Sequence, residues 1–365
     1  MAWTERYVSV AGGGAHDGTS EANAWTLAEA IAAPYAAGQR INVKAGTYAN
    51  TTTTRTFGVA GTTTAPIWWR GYNATIGDLD SDFATAKPAI TFTTGVFDCT
   101  GSFHLFSNLD ISGAQTTAAQ FRTRTGTNNY IDRCRIECTS ASANGRALSL
   151  SSRSGITRSW LKCTSSANVI DAGAADLYIA GNALINGASG VAISGAQRVT
   201  IAFNTFVDQG ADGINCPSGA MLWILSNSFY SPASDGIDFN TAMAIAGVIA
   251  NNIFSECGGY GINNSTAANT ATILRLHNDF YNNTSGNENG FGDFPSLGEQ
   301  TESSSPFLSA TDLSLIAGRN AIANGFPGLF ENQTYTSYLD IGAVQKLGTG
   351  GGGTPRLIDK GLIIS

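Results

Sequence analysis

The chain has 365 residues, of which 42% are hydrophobic, so it can bury a substantial core and general disorder is excluded. Only 13% of the residues are charged and 43 are glycine, so few solvated helices are expected. The net charge of -7 argues against nucleic acids and anionic membranes as partners, and no apolar run reaches the length of a membrane span.

The first 40 residues predict a strand and one helix. The strand is expected at Arg6–Val10, and the helix at Trp25–Ala33, with Asn23 as its cap. The helix is predicted to cover the first coil of the fold described below, because an open sheet end would recruit strands of other chains. No basic region precedes an apolar run, so no signal peptide is predicted.

From about residue 105 to residue 280 the sequence repeats with a period of about 24 residues. Each copy is apolar two positions after a reference residue, and period-2 apolar stretches alternate with Gly, Asn, Asp and Ser. Units of two or three short strands bury a face only when stacked, so the repeat predicts a parallel β-helix. The coils are expected at 41–290, irregular closing coils at 291–347, and a Gly-rich tail at 348–365. The reference residues are Leu109, Cys134, Ser159, Asn182, Asn204, Asn227, Asn252 and Asn278.

The five asparagines among the reference residues predict a structural ladder at a sharp corner. Asn tolerates a left-handed backbone, and its amide can pair with the coils above and below. Cys138 and Cys163 share another column and are interpreted as buried thiols, not as a disulfide or metal site, since no His lies in that column. A further column repeats glycine at Gly190, Gly213, Gly236 and Gly261.

Both ends of the sequence resemble a known family. Residues 6–10, 17–20, 24–31 and 43–48 are similar to the cap and first coil of right-handed parallel β-helix proteins of the pectate-lyase-like superfamily, and Asp340–Val344 resembles its closing segment. The likeness extends over roughly residues 5 to 346. It implies an all-β, single-stranded right-handed parallel β-helix solenoid, a fold whose lyases and glycosidases use acidic clusters.

The repeat register places acidic residues in stacked columns. Asp212 and Asp235 share one column, and Asp238 lies three residues further on. Carboxylates on adjacent coils are about 5 Å apart, which suits a retaining glycosidase pair or a calcium ion. Asp-Gly is also a turn signature, in which the aspartate caps its own backbone, so turn geometry is the other interpretation. A lyase would need a basic residue here, and only Arg198 is basic between residues 164 and 274.

The tail after Gly348 is predicted either to fold back on its own β-helix or to dock on an identical subunit or another protein. Its apolar residues are Leu357, Ile358, Leu362, Ile363 and Ile364. Gly-rich tails of this kind resemble those of phage-encoded β-helices. The main hypothesis is therefore a structural virion protein of a tailed phage, a head-decoration or short spike protein that contacts surface glycans. It would be a homo-oligomer, with a trimer favoured, made in the host cytoplasm.

The alternative hypothesis is a carbohydrate-active enzyme, a glycosidase or polysaccharide lyase that uses Asp212, Asp235 and Asp238. The shortage of catalytic groups favours the structural role over the enzyme. No metal or other cofactor is predicted, except calcium under the lyase alternative.

Overall fold

The computed structural model describes residues 2–32, 35–50, 54–79, 86–164, 166–195, 197–217, 220–240, 246–265, 273–292, 296–322, 325 and 342–343. The chain forms two compact units, Met1–Tyr178 and Ile179–Ser365. Each unit contains short parallel strands that recur in the order sheet A, sheet B, sheet C along the chain. Because each strand pairs with the strand one coil away, the predicted all-β, parallel β-helix fold is confirmed.

In the Met1–Tyr178 unit, every coil adds one strand to each of three sheets. The strands of sheet A are Thr4–Val8, Gln39–Lys44, Ile67–Tyr72, His104–Ser107, Tyr130–Asp132 and Gly155–Thr157. The strands of sheet B are Gly46–Asn50, Pro88–Phe92, Asp110–Gly113, Arg135–Cys138 and Trp160–Cys163. The strands of sheet C are Arg55–Phe57, Phe97–Cys99, Ala119–Thr123, Arg146–Ser149 and Ile170–Ala172. A further strand, Leu177–Ala180, contains the boundary between the units.

The N-terminal helix is shorter than predicted and has a different cap. It comprises Leu27–Ala32 and follows a 3-10 turn at Glu21–Asn23. Thr26 caps it: the Glu29 N–H donates to the Thr26 hydroxyl at 3.2 Å, and the Thr26 N–H donates to the Glu29 carboxylate at 2.7 Å. This reciprocal pair is a capping box, so the prediction of Asn23 as the cap was wrong. The covering role of the helix stays a prediction.

The Ile179–Ser365 unit has the same three-sheet arrangement. Its sheet A strands are Gln197–Ala202, Ala220–Leu225, Ala246–Ala250 and Ile273–Leu276. Its sheet B strands are Ala183–Asn186, Thr205–Val207, Ser228–Tyr230, Ile253–Ser255, Asp279–Tyr281 and Gln300–Thr301. Its sheet C strands are Val191–Ile193, Ile214–Asn215, Ile237–Asp238, Tyr260–Asn263 and Gly286–Asn289. Apolar residues 307–321 pack on the outside of sheet B, against Val207 and Ile253.

The sharp corners of this second unit do not use the ladder asparagines as predicted. The left-handed residues come one position earlier, and they are Gly181, Phe203, Ser226, Asn251 and His277. The asparagine that follows each of them is buried and has its amide in the interior. The expectation of a left-handed asparagine was therefore wrong, because the turn and the amide ladder are divided between two successive residues.

Hydrogen bonds join the five asparagines into one continuous ladder. The Asn204 Nδ2 donates to the Asn227 Oδ1 at 3.0 Å, and the same bond recurs from Asn182 to Asn204, from Asn227 to Asn252 and from Asn252 to Asn278. Each Oδ1 also accepts a backbone N–H, such as that of Asn204 on Asn227 at 2.9 Å. The ladder therefore satisfies buried backbone groups at the corner.

A phenylalanine stack fills the core of the second unit. Phe206, Phe229 and Phe254 have nearly parallel rings, with centroids 4.5 and 4.8 Å apart. The glycine column lies against this stack, since a Cβ atom at Gly213 would collide with the ring of Phe229 and one at Gly236 with that of Phe254. The glycine repeat is thus a packing requirement of the phenylalanine repeat.

Two remaining sequence expectations concern the cysteines and the membrane. Cys138 and Cys163 are buried, unbridged neighbours in register, as predicted. In the described part of the chain, no helix has the length and apolar character needed to span a bilayer.

Candidate functional site

Sheet C of the second unit brings together the three predicted aspartates. Asp238 ends the strand Ile237–Asp238 and pairs in register with Asn215 on one side and Asn263 on the other. Asp212 and Asp235 lie just before their strands, on successive coils. One carboxylate oxygen of each aspartate lies within 4.8 Å of those of the other two. We call Asp212, Asp235 and Asp238 the aspartate trio.

Backbone bonds from the next coil fix two members of the trio. The Asp235 N–H donates to the Asp212 Oδ1 at 3.2 Å, and the Tyr260 N–H donates to the Asp235 Oδ1 at 2.6 Å. These bonds join one coil to the next, whereas the turn interpretation expects each aspartate to cap its own backbone. The distance between the Asp212 and Asp235 carboxylates is therefore set by the spacing of successive coils.

Amide side chains flank the trio on both sides. The Asn215 Nδ2 donates to the Asp212 Oδ2 at 2.9 Å, and the Asn263 Nδ2 donates to the Asp235 Oδ2 at 2.9 Å. Gly259 leaves room for the carboxylate, because a Cβ atom there would collide with the Asp235 Oδ1. Asp212 and Asp235 are each only 6% exposed, so these contacts replace most of their hydration.

Asp238 differs from the other two members of the trio because one of its carboxylate oxygens accepts no hydrogen bond from the described residues. Its Oδ1 is buried and has no hydrogen-bond partner among the described residues. Its remaining interaction is a side-chain hydrogen bond with Asn240. A buried acceptor without a donor is costly unless it holds a proton or meets a ligand.

The electrostatic environment of the trio favours bound protons. Burial, followed by the charges of Asp212 and Asp235, raises the pKa of Asp238 to about 6. Burial also raises the pKa of Asp235, although the hydrogen bonds from Tyr260 and Asn263 lower it, and the Asp212 charge raises it further. Both charges that act on Asp238 are negative, so the cluster will attract either a proton or a cation.

Two kinds of chemistry fit this geometry. A carboxyl group with a raised pKa beside a second, hydrogen-bonded carboxylate is the pairing that glycoside hydrolysis uses. A donor set of carboxylate oxygens only also suits a hard cation such as calcium, which Asp212, Asp235 and Asp238 would hold.

A third column of the repeat, which contains Asp208 and Glu256, has a structural explanation. Asp208 and Glu256 share it with Asn186, Ser231 and Asn282, and all five have a positive φ angle between 51° and 59°. These five residues form a second left-handed corner of their coils.

Three residues near the trio, Gly259, Asn263 and Asn289, were not predicted for the site. The register that pairs Asn215 with Asp238 also places Asn263 and Asn289 in the same column, so these two positions could have been found from the repeat. The docking residues Leu357, Ile358, Leu362, Ile363 and Ile364 lie outside the described residues.

Comparisons with known proteins identify the fold. Residues 152–294 match a family model described as a right handed beta helix region. The structure of pectate lyase Pel9A matches with a TM-score of 0.60 and 14% identity, covering 95% of this chain and 98% of that one. The lacto-N-biosidase of family GH136 from Eubacterium ramulus matches with a TM-score of 0.50 and 12% identity, covering 82% of this chain and 68% of that one. A search of curated proteins finds no match. The chain therefore has a right-handed parallel β-helix fold, as the sequence predicted.

Proposed function

We propose that this right-handed parallel β-helix protein is a carbohydrate-active enzyme that cleaves glycosidic bonds at the aspartate trio. The observation that carries the proposal is the half-buried Asp238, which has one buried oxygen without a hydrogen-bond partner among the described residues and a pKa of about 6 beside two further carboxylates. The similar structures support it, since one is named a pectate lyase and the other a lacto-N-biosidase.

Hydrolysis is the reaction that these residues support best. Asp238 is the general acid, because a pKa of about 6 keeps part of the population protonated near neutral pH. Asp212 is the nucleophile or charge-stabilising partner, since the Asp235 N–H and the Asn215 amide hold its two oxygens as acceptors. The carboxylate oxygens lie within 4.8 Å of one another, a spacing close to that of retaining enzymes.

Elimination has less support, because it requires a base beside the acidic groups. The charged groups that raise the pKa of Asp238 are Asp212 and Asp235, and no cationic group among the described residues lowers it. In the described part of the unit, Arg275 is an interior residue whose Nε bonds the Glu288 carboxylate at 2.8 Å. A calcium-dependent lyase remains the second candidate, favoured by the oxygen-only donor set of the trio.

The test is digestion of a panel of polysaccharides by the full-length protein and two variants. Asp238→Asn should lower the release of reducing ends by about 100-fold or more, the usual range for loss of an acid catalyst. Asp208→Asn is the matched control, because it removes the same charge at a left-handed corner where asparagine is tolerated. Undiminished activity of Asp238→Asn, or no cleavage of any glycan, would contradict the proposal.

The same digestion, run in EDTA and in added calcium, separates the two candidates. Hydrolysis by the trio should proceed in EDTA and leave saturated products. Products with a carbon–carbon double bond that form only with calcium would identify the lyase. None of the structures described above is named as a virion protein, so the virion role stays a prediction.

A further inference from the structure

The surface next to the trio continues as two outward columns on sheet C. The first runs from Asp235 to Tyr260 and then Gly286, and the second from Asp238 to Asn263 and then Asn289. Between these columns, Ile237 and Ile262 are buried in the interior. A glycan chain that runs across the trio along the solenoid axis would therefore next contact Tyr260, Asn263 and Asn289.

Tyr260 presents a ring at the position where a sugar would lie. Its backbone N–H is fixed to Asp235, and its side chain is half-buried on the next coil. Gly286 has no side chain there, and a Cβ atom at that position would lie 3.6 Å from the Tyr260 Cε1. No side chain at position 286 therefore covers the ring, which lies one coil beyond the carboxylates. An aromatic ring of this kind gives apolar contact area to a sugar face at low entropy cost.

A row of amides runs beside the ring. The Asn289 Nδ2 donates to the Asn263 Oδ1 at 2.9 Å, and the Asn263 Nδ2 donates to Asp235. The remaining amide protons and oxygens can exchange hydrogen bonds with hydroxyl groups. Amide groups carry no charge, and they do not compensate an anionic ligand.

The charges of this surface decide between classes of glycan. A polyuronate carries a carboxylate on each sugar, and here it would approach three further carboxylates. The groups that act electrostatically on Asp235 are Asp212 and the hydrogen bonds of Tyr260 and Asn263, and those on Asp238 are Asp212, Asp235 and Asn240. None of these groups is cationic, and Arg275, which lines the cavity beside Asn289, is already bonded to the Glu288 carboxylate at 2.8 Å, so an anionic sugar would be repelled.

We infer that Tyr260, Asn263 and Asn289 form a sugar-binding subsite next to the trio, and that the substrate is an uncharged glycan. Tyr260 stacks against one sugar ring, and the asparagines bond its hydroxyl groups. The inference rests on the proposed function. It adds a substrate class, since it excludes polyuronates, and it assigns a specificity role to Tyr260.

The experiment measures glycan binding by the full chain carrying Asp238→Asn, so that turnover does not interfere. The probes are neutral oligosaccharides made from glucan, xylan, mannan and galactan, and acidic ones made from polygalacturonate and alginate, each in EDTA and in calcium. We expect a neutral probe to bind in EDTA. Tyr260→Leu should weaken that binding roughly tenfold and Tyr260→Phe less than about twofold, because the ring is what the subsite uses.

Tyr281→Leu is the control, because Tyr281 is a half-buried tyrosine of the same unit that lies on sheet B. It should leave binding unchanged. Should Tyr260→Leu fail to fold, Asn289→Ala probes the same subsite from the next coil and should weaken binding about threefold or more.

Each other outcome overturns a defined part of the account. Binding of acidic probes only, with or without calcium, defeats the inference of an uncharged substrate and leaves the proposed glycan cleavage standing. Neutral binding that is unaffected by both Tyr260→Leu and Asn289→Ala defeats the subsite. Failure of every probe to bind, together with no cleavage of any polysaccharide, defeats the proposed function as well.

Discussion

Sheet C carries buried aspartates in both units, but their surroundings are opposite. In the Met1–Tyr178 unit, Asp98 is 1% exposed and lies 3.0 Å from the Arg122 Nε and 2.8 Å from the Arg124 Nη2. In the Ile179–Ser365 unit, Asp235 and Asp238 have amides, backbone groups and each other as neighbours. A buried carboxylate with cationic partners has its charge compensated within the fold, whereas a cluster without cationic partners among the described residues retains the capacity to bind protons, cations or substrate.

The interiors of the two units also differ, both in how the core aromatic rings pack and in which side chains bond the backbone at the corners. The second unit repeats one solution, with stacked phenylalanines and a ladder of asparagines. The first unit packs Phe57 edge-on to Trp69 at 4.8 Å, and the Ser159 hydroxyl accepts the Cys134 N–H at 3.0 Å, where the second unit uses an asparagine amide. The same corner can therefore be satisfied by different side chains.

The largest expected effect comes from breaking the regular interior. Phe229→Ala removes the central ring of the stack and leaves a cavity that touches Phe206 and Phe254, so it should lower the free energy of unfolding by roughly 3 to 5 kcal/mol. Ser234→Ala, on the loop before Asp235, should cost less than about 0.5 kcal/mol. Denaturant titration compares the two variants, and equal losses would show that the stack is not the core.

Replacing Arg122 and Arg124 would leave Asp98 as a buried carboxylate without these two cationic partners. Arg122→Ala with Arg124→Ala should lower the free energy of unfolding by roughly 2 to 4 kcal/mol at neutral pH, a discounted figure because Arg124 is half exposed. Adding Asp98→Asn to this variant should restore part of the loss. A double arginine variant as stable as the wild type would mean that the pairing contributes little.

Stability should fall with rising pH because of the unpaired carboxyls of the second unit. Burial and the Glu302 charge raise the pKa of Asp279 to about 7, and the pKa of Asp238 is raised to about 6. A raised pKa means that the folded state binds more protons, so this stability is fully present below the ordinary aspartate pKa and is lost as the pH rises through about 7. Burial lowers the pKa of His104 to about 4, which increases stability as the pH rises through about 6.5, so the net decrease in the free energy of unfolding between pH 5 and pH 8 should be roughly 1 to 3 kcal/mol.

Two variants check the origin of that pH dependence. Asp279→Asn and Asp238→Asn should each flatten the curve, whereas the control Asp98→Asn should leave its slope between pH 5 and pH 8 in place. A wild-type protein that becomes more stable from pH 5 to pH 8 would contradict the sign of the effect.

The smallest effect concerns the predicted docking tail. A chain truncated after Leu347 keeps every described residue of both units, so its melting temperature should change by less than about 2 °C. If the tail docks on another subunit, light scattering should show a smaller assembly. A truncated chain that aggregates or melts much lower would show that the tail packs on its own β-helix.

The sequence predicted the fold well because a solenoid repeats its chemistry at a fixed period. The spacing from Asn204 to Asn227 to Asn252 was enough to stack the coils and to place Asp212 beside Asp235. It could not locate the left-handed residues, since Phe203 and Ser226 are not types that favour that backbone, and only hydrogen bonding separates the turn from the ladder. The environment of Asp238 was also beyond prediction, because burial and the lack of a neighbouring cation arise from several coils together.

The most direct test of the central claim is an NMR titration of the aspartate carboxyl carbons, with Asp238 assigned by comparison with Asp238→Asn. The account predicts that Asp238 titrates near pH 6 and that Asp235→Asn lowers this value, because one of the two neighbouring charges is removed. Titration of Asp238 near its ordinary value of 3.8, unchanged by Asp235→Asn, would contradict the account and identify the trio as solvated turn residues.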